Sequence, residues 1–387
     1  MTLTIGIDIG GTSVRAGVVT DDGTVVDTAR AETPRSAAAL ERCLDRVVQE
    51  LCVEHDVKAV GLAVAGFLDP ARQQVAFAPH LPWRDAAVPA EMTRRIGLPV
   101  IMEHDANSAA WAEFVHGPAR QSKVTCVVAL GTGIGAGLLF DGQLYRGAYG
   151  VAPELGHLQV VPDGRPCDCG KRGCWERYCS GTALVETAID LMGPKGSRGV
   201  LLARELADDP GSLTGRKVAA AAEAGDPVAQ EAVGELARWL GVGLAMVSDV
   251  FDPDLIILSG GVGASSRLFL DDARDQYAQQ LTGGKYRRKA RIRATELGER
   301  AGMLGAAALA RDAVLAWDEK RPRLNADGTP VTRWDGTTTR PHPVTGEPVP
   351  DPSATITDTE YVNPSQAAWP RAAQGAQPPR WRRPTPA

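Results

Sequence analysis

The chain has 387 residues, of which 44% are hydrophobic and 23% charged, a composition typical of a soluble globular protein with room for two domains. Its net charge of −5 disfavours nucleic-acid binding, because phosphate-binding surfaces are usually basic. No apolar run approaches the ~20 residues that span a bilayer, and the first stretch lacks the basic start of a signal peptide. We therefore expect a cytoplasmic protein without a nucleic-acid or membrane partner.

Short apolar runs and amphipathic stretches alternate along the first 316 residues. Residues 3–9 and 14–19 predict a β-hairpin, and apolar positions at helical spacing predict a helix over residues 37–53. Further strands are predicted at 58–65, 99–102, 124–130, 136–140 and 254–259, and further helices at 105–116, twice within 217–247, and at 301–316. Strands mixed with helices in this way indicate an α/β architecture.

The composition changes from about residue 318. The last 70 residues hold 13 of the 27 prolines and few aliphatic clusters. Such a segment cannot bury enough apolar surface to offset the entropy lost on ordering. We therefore expect residues 318–387 to form a disordered tail, in which Trp334, Trp369 and Trp381 are candidate anchors for a partner.

Three glycine-rich turns each follow an apolar strand. They are Asp8-Ile9-Gly10-Gly11-Thr12, Gly131-Thr132-Gly133-Ile134-Gly135 and Ser259-Gly260-Gly261-Val262-Gly263. Glycine lets backbone N–H groups approach an anion closely, and a carboxylate such as Asp8 can hold Mg²⁺ beside phosphates. None of the turns matches the Walker or dinucleotide pattern, and each is weak evidence alone. Three of them at three strand ends predict a polyphosphate site.

This arrangement resembles the sugar kinase, Hsp70 and actin superfamily of ATP-binding folds. The resemblance implies two α/β domains of related topology, with the nucleotide bound as Mg-ATP in the cleft between them. We assign residues 1–115 to a small N-terminal domain, completed by the helix near 301–316. We assign residues 116–300 to a large domain.

A histidine and three cysteines lie close together in the large domain: His157, Cys167, Cys169 and Cys174. In a reducing compartment such a cluster indicates a metal rather than disulfides. One imidazole and three soft thiolates fit a tetrahedral Zn²⁺ site, so that Cys179 is not needed as a fifth ligand. The sequence therefore predicts a structural zinc loop over residues 157–176.

A long run around this loop carries a specific family resemblance. The segment LGTGIGAGLLFDGQLYRGAYGVAPELGH, followed by CDCGKRGCWE, resembles the ROK family (repressors, open reading frames and kinases), and within it the actinobacterial glucokinases. The resemblance covers roughly residues 3–316. It implies transfer of the γ-phosphate of Mg-ATP to the 6-hydroxyl of glucose, by a homodimer or homotetramer.

The resemblance also implies roles for individual residues. Asp105 matches the catalytic base, a carboxylate that accepts the hydroxyl proton. Sugar contacts are implied for Gly66, His80, His104, Asp105, Glu154, His157 and Glu176. Nucleotide contacts are implied for Asp8, Gly10, Gly11, Thr12, Gly131, Thr132, Gly133, Gly260 and Gly261. His157 would serve twice, with one nitrogen on zinc and the other on a sugar hydroxyl.

Two positions depart from the family pattern, because His80 and His104 stand where the family usually has Asn. Histidine keeps a hydrogen-bonding group, but its donor lies at a different position from that of Asn. Its side chain is also bulkier and can titrate. A kinase for another hexose or an N-acetylhexosamine, a polyphosphate donor, and a catalytically weak sugar sensor therefore remain alternatives. A repressor of the same family is not expected, because its helix-turn-helix domain would precede the hairpin that begins here at residue 3.

Overall fold

The computed structural model describes residues 2–193, 201–204, 213–320, 339–341 and 348–350. Met1–Leu315 form one compact unit and Ala316–Ala387 a second. Most of residues 318–387, the segment predicted to be disordered, lies outside the described residues, and so do its three tryptophans. What is described of that region is the end of a helix and one short antiparallel strand pair. Among the described residues, no helix is long and apolar enough to cross a membrane.

Strands and helices alternate along the first unit. The strands are β1 (Leu3–Ile9), β2 (Ser13–Val19), β3 (Val25–Glu32), β4 (Val57–Val64), β5 (Phe67–Leu68), β6 (Val75–Phe77), β7 (Arg84–Ala86), β8 (Val100–His104), β9 (Val124–Leu130), β10 (Ile134–Phe140), β11 (Gln143–Tyr145), β12 (Leu255–Ser259), β13 (Arg291–Ala294), and, in the second unit, β14 (Thr339–Pro341) and β15 (Pro348–Pro350). The helices are α1 (Ala37–Cys52), α2 (Val88–Ile96), α3 (Asp105–Val115), α4 (Glu176–Cys179), α5 (Gly181–Met192), α6 (Gly215–Glu223), α7 (Pro227–Phe251), α8 (Gly260–Gly263), α9 (Leu270–Gln280) and α10 (Ala301–Lys320).

Two five-stranded sheets share one topology. The first sheet has the order β3-β2-β1-β4-β8, and the second has the order β11-β10-β9-β12-β13. In each sheet, the first strand along the chain (β1 or β9) pairs antiparallel with the strand that follows it. Two later strands lie parallel to this first strand on its other side. The related topology that the sequence predicted for the two halves is therefore present. A third, three-stranded sheet, β5-β6-β7, extends the first half.

Each large sheet has its own apolar core. The amphipathic helix α1 covers the first sheet with residues such as Leu40, Leu44 and Val47, as its 3.6-residue spacing predicts. The second core is larger and includes Leu236, Leu240 and other residues on the inner face of α7. Helix α7 starts sharply because Asp226 accepts hydrogen bonds from two backbone N–H groups of its first turn and Pro227 follows.

Helices α3 and α10 each follow a strand of one large sheet along the chain but pack against the other large sheet. Helix α3 follows β8 of the first sheet but packs on β10 of the second, where a Cβ added at Gly137 would lie 2.6 Å from Ala110 Cβ. Helix α10 follows β13 of the second sheet but packs on the first, where a Cβ at Gly61 would overlap the Ala306 carbonyl. The two helices also touch, so that the two sheets are joined through an exchanged pair of helices.

The sequence predictions hold for the long elements. The hairpin, α1, the buried strands and α10 lie within a few residues of the predicted bounds. The two helical patterns within 217–247 are unequal, a nine-residue helix and a 25-residue helix. Strand β3 and the small β5-β6-β7 sheet lie outside the predicted elements.

Candidate active site

The first glycine turn joins β1 to β2. The N–H of Gly10 donates to the Ser13 carbonyl (3.0 Å), and the Thr33 hydroxyl donates to the Gly10 carbonyl (2.6 Å), which pins the turn to the end of β3. Gly11 and Thr12 are exposed at its tip. Exposed N–H and hydroxyl groups on a fixed turn are suited to phosphate oxygens.

Asp8 lies at the base of this turn. Burial, together with the nearby charge of Asp105, raises the pKa of the Asp8 carboxyl to about 7, although Arg15 opposes the shift. Two carboxyl groups that repel each other at the foot of the predicted phosphate turn fit a divalent cation, which would relieve the repulsion.

The second glycine turn joins β9 to β10 in the same way. The N–H of Gly131 donates to the Gly133 carbonyl (3.0 Å), and the N–H of Gly181, at the start of α5, donates to the Gly131 carbonyl (2.7 Å). Thr132 is exposed at the tip, as Thr12 is in the first turn. The two hairpin turns therefore present matched hydroxyl groups.

The third glycine turn starts the short helix α8. Gly260 has a φ of +82°, and a Cβ there would lie 2.5 Å from the Leu130 carbonyl oxygen, so glycine is required. The turn thus packs against Leu130, the residue directly before the second turn, and its Val262 lies beside Gly181, whose N–H is bonded to the Gly131 carbonyl. It also comes within reach of the first half, because Glu299 lies beside Gly261 and pairs with Arg15 at 2.9 Å.

The four predicted zinc ligands converge. The ligand atoms of His157, Cys167, Cys169 and Cys174 all lie within 4.8 Å of one another. Cys169 Sγ and Cys174 Sγ are 3.6 Å apart, and Cys167 Sγ is 3.7 Å from His157 Nδ1. Zinc–sulfur bonds of 2.3 Å in a tetrahedron require sulfur–sulfur distances of about 3.8 Å. The residues therefore fit a Cys₃His zinc ion.

Local structure explains why this loop converges. Gly170 and Gly173 have φ values of +87° and +73°, which permit the tight turns between the cysteines. Trp175, directly after Cys174, is fully buried against Gly243 of α7, and its Nε1–H donates to the Trp239 carbonyl (2.8 Å). The loop is thus anchored in the second core, and the anchor also fixes the neighbouring Glu176.

Asp105 begins helix α3 at the end of β8. Its carboxyl group is 40% exposed and lies 3.3 Å from His104 Nδ1. Its Oδ1 also accepts a hydrogen bond from the N–H of Ala106 (2.8 Å). The base predicted from the sequence is therefore held at a helix N-terminus with its carboxylate open to a ligand.

The Glu154 carboxyl lies among the charges of His104, Asp105, His157 and Glu176. Burial raises the pKa of the Glu154 carboxyl, and the charges of His104 and His157 oppose the rise. His157 Nε2 is 3.9 Å from Glu154 Oε2, while its Nδ1 is 3.4 Å from Glu176 Oε1. The two imidazole nitrogens thus face different groups, Nδ1 toward the thiols and Nε2 toward Glu154.

Glu176 contacts both the thiol cluster and the second glycine turn. Cys167 Sγ donates to Glu176 Oε1 (3.1 Å), and the N–H of Ile134 donates to Oε2 (3.4 Å). A Cβ at Gly133 would lie 2.4 Å from Glu176 Oε2, so a larger residue there would displace this carboxylate. Glu176 therefore links the predicted zinc loop to the predicted phosphate turn.

His80 and Gly66, the other two predicted sugar contacts, lie around the small third sheet. His80 is exposed and packs against the first glycine turn, where a Cβ at Gly11 would lie 2.9 Å from His80 Cβ. Gly66 begins the β5–β6 hairpin and packs on Ala78, also at 2.9 Å from an added Cβ. The structure therefore places His80 beside a predicted nucleotide residue.

Sequence reasoning missed several residues around the site. Arg15 and Glu299 connect the first and third glycine turns, and Glu103 is a buried acid next to His104. The signal for Glu103 is present in the sequence, because a carboxylate at an inward position of a buried strand requires partners. The partners themselves are distant in sequence.

Comparisons with known proteins give a consistent result. The model of the ROK family matches residues 4–313. A glucokinase from Streptomyces coelicolor is 41% identical over 312 residues, which cover 81% of this chain and 98% of that protein. The crystal structure of a ROK family glucokinase from Streptomyces griseus with glucose and AMPPNP is 42% identical, with a TM-score of 0.74 over 80% of this chain and 99% of that one. A ROK hexokinase from Thermus thermophilus is 30% identical, with a TM-score of 0.65 over 81% and 100%.

Proposed function

The chain belongs to the ROK family, and we propose that it is an ATP-dependent glucokinase. It transfers the γ-phosphoryl group of Mg-ATP to the 6-hydroxyl of glucose, giving glucose 6-phosphate and ADP. The fold is the two-domain α/β fold of the actin-like ATPases, as the sequence predicted. The glucokinase relatives and the structure with glucose and AMPPNP support the reaction and the donor.

One observation carries the proposed mechanism. The partly exposed carboxylate of Asp105 is close enough to interact by charge with both Glu154 and Asp8 of the first glycine turn. A base must lie within reach of both the acceptor hydroxyl and the phosphoryl donor. Its charge interactions with Glu154 and Asp8 support Asp105 as this base.

The reaction proceeds by direct displacement at phosphorus. Asp105 accepts the proton of the 6-hydroxyl, the sugar oxygen bonds to the γ-phosphorus, and the bond from that phosphorus to the β–γ bridging oxygen breaks. The N–H groups of the three glycine turns and the hydroxyls of Thr12 and Thr132 bind the phosphate oxygens. Mg²⁺, held near Asp8, neutralises phosphate charge when it is bound. The protein's contribution is mainly positioning and charge stabilisation.

Glucose is held by the groups around Asp105. Carboxylate oxygens of Glu154 accept hydrogen bonds from sugar hydroxyls, and His157 presents Nε2 on the same side. Zinc on Nδ1 would fix the orientation of this imidazole without entering the chemistry.

Reduced thiols are needed to bind zinc, which supports a reducing, cytoplasmic compartment. A homodimer or homotetramer remains a prediction that light scattering would check.

A different hexose is the second candidate. His104 Nδ1 lies 3.3 Å from the Asp105 carboxylate, so this imidazole borders the position of the acceptor hydroxyl. Its shape and donor differ from those of Asn, which favours a test against mannose, fructose and N-acetylated hexosamines. His104→Asn should lower the preference for the physiological sugar if His104 selects it.

ADP release from Mg-ATP, measured with a panel of sugars, tests the proposed function. We expect turnover on glucose in the wild type and a loss of roughly 10²–10⁴-fold in Asp105→Asn, because the amide cannot accept the proton. The melting temperature of the variant should stay close to that of the wild type, since Asp105 is partly exposed. Wild-type protein without turnover on any sugar, or full activity in Asp105→Asn, would contradict the proposal.

A further inference from the structure

A buried ionic cluster lies directly behind Asp105. The Glu103 side chain is 2% exposed. Its Oε1 accepts hydrogen bonds from the N–H of His104 (3.0 Å) and from Asn107 Nδ2 (3.1 Å). Arg72 Nε is 2.9 Å from the same oxygen, and Arg146 Nε donates to Oε2 at 2.7 Å. One carboxylate thus binds groups on both sides of Asp105.

The two arginines come from separate parts of the chain. Arg146 follows β11 of the second sheet, whereas Arg72 lies in the turn between β5 and β6. Arg72 has a φ of +60°, and its Nη1 donates to the carbonyls of Asp69 (3.1 Å) and Gly150 (2.8 Å). Arg146 therefore belongs to the segment of residues 146–150, and Arg72 is hydrogen-bonded to the same segment through the Gly150 carbonyl.

That segment leads directly to the sugar residues. The N–H of Ala152 donates to the Arg146 carbonyl (3.1 Å), which closes residues 146–152 into a compact loop. Glu154 follows two residues later. Glu103 therefore connects, through two side chains, the turn that carries Asp105 with the loop that carries Glu154.

The charges within the cluster require one another. Burial raises the pKa of the Glu103 carboxyl, but Arg146 and Arg72 lower it further, so its pKa lies below its ordinary value. A buried ionised acid is stable only with its partners in place. Arg72 Nε and Nη2 are buried without a hydrogen-bond partner among the described residues, although Nε lies within ion-pair distance of Glu103. The cluster is therefore held by its two ion pairs and by the hydrogen bonds that Glu103 accepts, which together restrict movement of the groups around it.

We propose that Glu103, Arg72 and Arg146 form a positioning clamp that sets the distance between the Asp105 carboxylate and the Glu154 loop. The clamp rests on the proposed function, since it acts only through residues that contact the sugar. Phosphoryl transfer depends on alignment, and a displacement of about 1 Å can cost on the order of 10²-fold in rate. The three residues are positioning residues, because they act through Asp105 and Glu154.

The most direct variant, Glu103→Gln, leaves Arg72 buried without its counter-charge and can unfold the protein. Arg146→Gln is the sharper test, because the Arg146 side chain is 36% exposed and Arg72 still neutralises Glu103. We expect kcat to fall roughly 10- to 100-fold and the glucose KM to rise several-fold. The ATP KM should stay within about twofold. Arg146→Lys, which keeps the charge, should recover part of kcat.

The matched control is Arg94→Gln, which removes an exposed arginine paired with Glu91 on α2 and should leave all constants unchanged. Wild-type kcat in a folded Arg146→Gln protein would overturn the clamp, even if its melting temperature falls. Calorimetry of glucose binding gives a reading independent of turnover, and unchanged affinity in Arg146→Gln would equally count against the clamp. If the wild type binds glucose but does not phosphorylate it, the proposed kinase activity is refuted. The glucose affinity of Arg146→Gln then decides whether the clamp exists.

Discussion

The two large sheets use one topology for two purposes. In the first, the hairpin turn of Gly10–Thr12 is followed along the chain by strands that lead to Asp105. In the second, the equivalent turn of Gly131–Gly133 is followed by the loop that carries Glu154 and the predicted zinc ligands. In the proposed mechanism the shared turn binds phosphate in both halves, and the parts that differ supply the base in one half and the sugar-binding loop in the other.

The difference also concerns how each half is stabilised. The first sheet relies on an apolar core beneath α1 and on close glycine contacts with α10. The second has a larger core and, in addition, a cysteine-rich loop anchored by Trp175. The proposed zinc ion would help this short loop to hold its shape, and the hairpin of the first sheet has no counterpart to it among the described residues.

The largest expected effect is loss of the metal. Cys174→Ser should abolish zinc binding and lower the free energy of unfolding by several kcal/mol, since zinc binding contributes directly to folding. Metal analysis of the purified protein and thermal unfolding would measure both. The control is Cys43→Ser, a buried cysteine of the first core, which should keep one zinc per chain. Zinc retained at full stoichiometry in Cys174→Ser would refute the assigned ligands.

A second test concerns the exchanged helices. A Cβ at Gly305 of α10 would overlap the Ser108 carbonyl of α3, so Gly305→Ala should destabilise the protein by about 1–3 kcal/mol. Gly234→Ala is the matched control, because a Cβ there, inside α7, meets no atom within 4 Å. It should stabilise by about 0.5–1 kcal/mol through helix propensity. Urea unfolding would measure both, and equal effects would mean that the helices do not depend on this contact.

A third test uses a buried acid on α3. Burial raises the pKa of the Glu113 carboxyl above its ordinary value of 4.5, despite a hydrogen bond from Thr295. The folded protein therefore holds this proton more tightly than the unfolded chain, and stability falls as pH rises from 4.5 toward the raised pKa. Glu113→Gln should remove this fall, so the free energy of unfolding of the variant should increase relative to that of the wild type as pH rises.

Urea unfolding at several pH values would measure the effect on Glu113. Glu235→Gln, an exposed acid of α7, serves as the control for loss of a carboxylate. A constant difference in stability between Glu113→Gln and the wild type across this pH range would contradict the raised pKa.

The smallest expected effect compares the two hairpin turns directly. Thr12→Val and Thr132→Val each remove one exposed hydroxyl and should raise the ATP KM by roughly two- to tenfold, the value of one hydrogen bond. The KM for glucose should stay unchanged. A rise in only one variant would show that the equivalent turns do not share the phosphates.

Much of this arrangement could be predicted from sequence because the signals are local. Periodic apolar residues identify α1 and the buried strands, and the spacing of one histidine and three cysteines identifies a metal site that the structure assembles. The glycine turns were identified because each follows a strong strand. Short strands of two or three residues, such as β5 and β6, carry no readable alternation and were missed.

The contacts between distant segments could not be predicted. Glu103 and Arg146 are 43 residues apart, and nothing local to either reveals the other. His80 lies beside Gly11, a contact that depends on how the small third sheet packs, and its contact with the sugar stays a prediction. Pairings of this kind are decided by tertiary structure, which one sequence does not display.

The exchanged helices have a consequence for how the chain can be divided. A cut near Ser122, between the two halves, would give one fragment that carries α3 without the sheet it covers and a first sheet without α10. The other fragment would have the complementary defect. Each fragment would expose apolar surface until it met the other, so the halves can reassemble as a complementing pair but cannot be separated into independent modules. The two halves share one topology, but each depends on a helix that belongs to the other half.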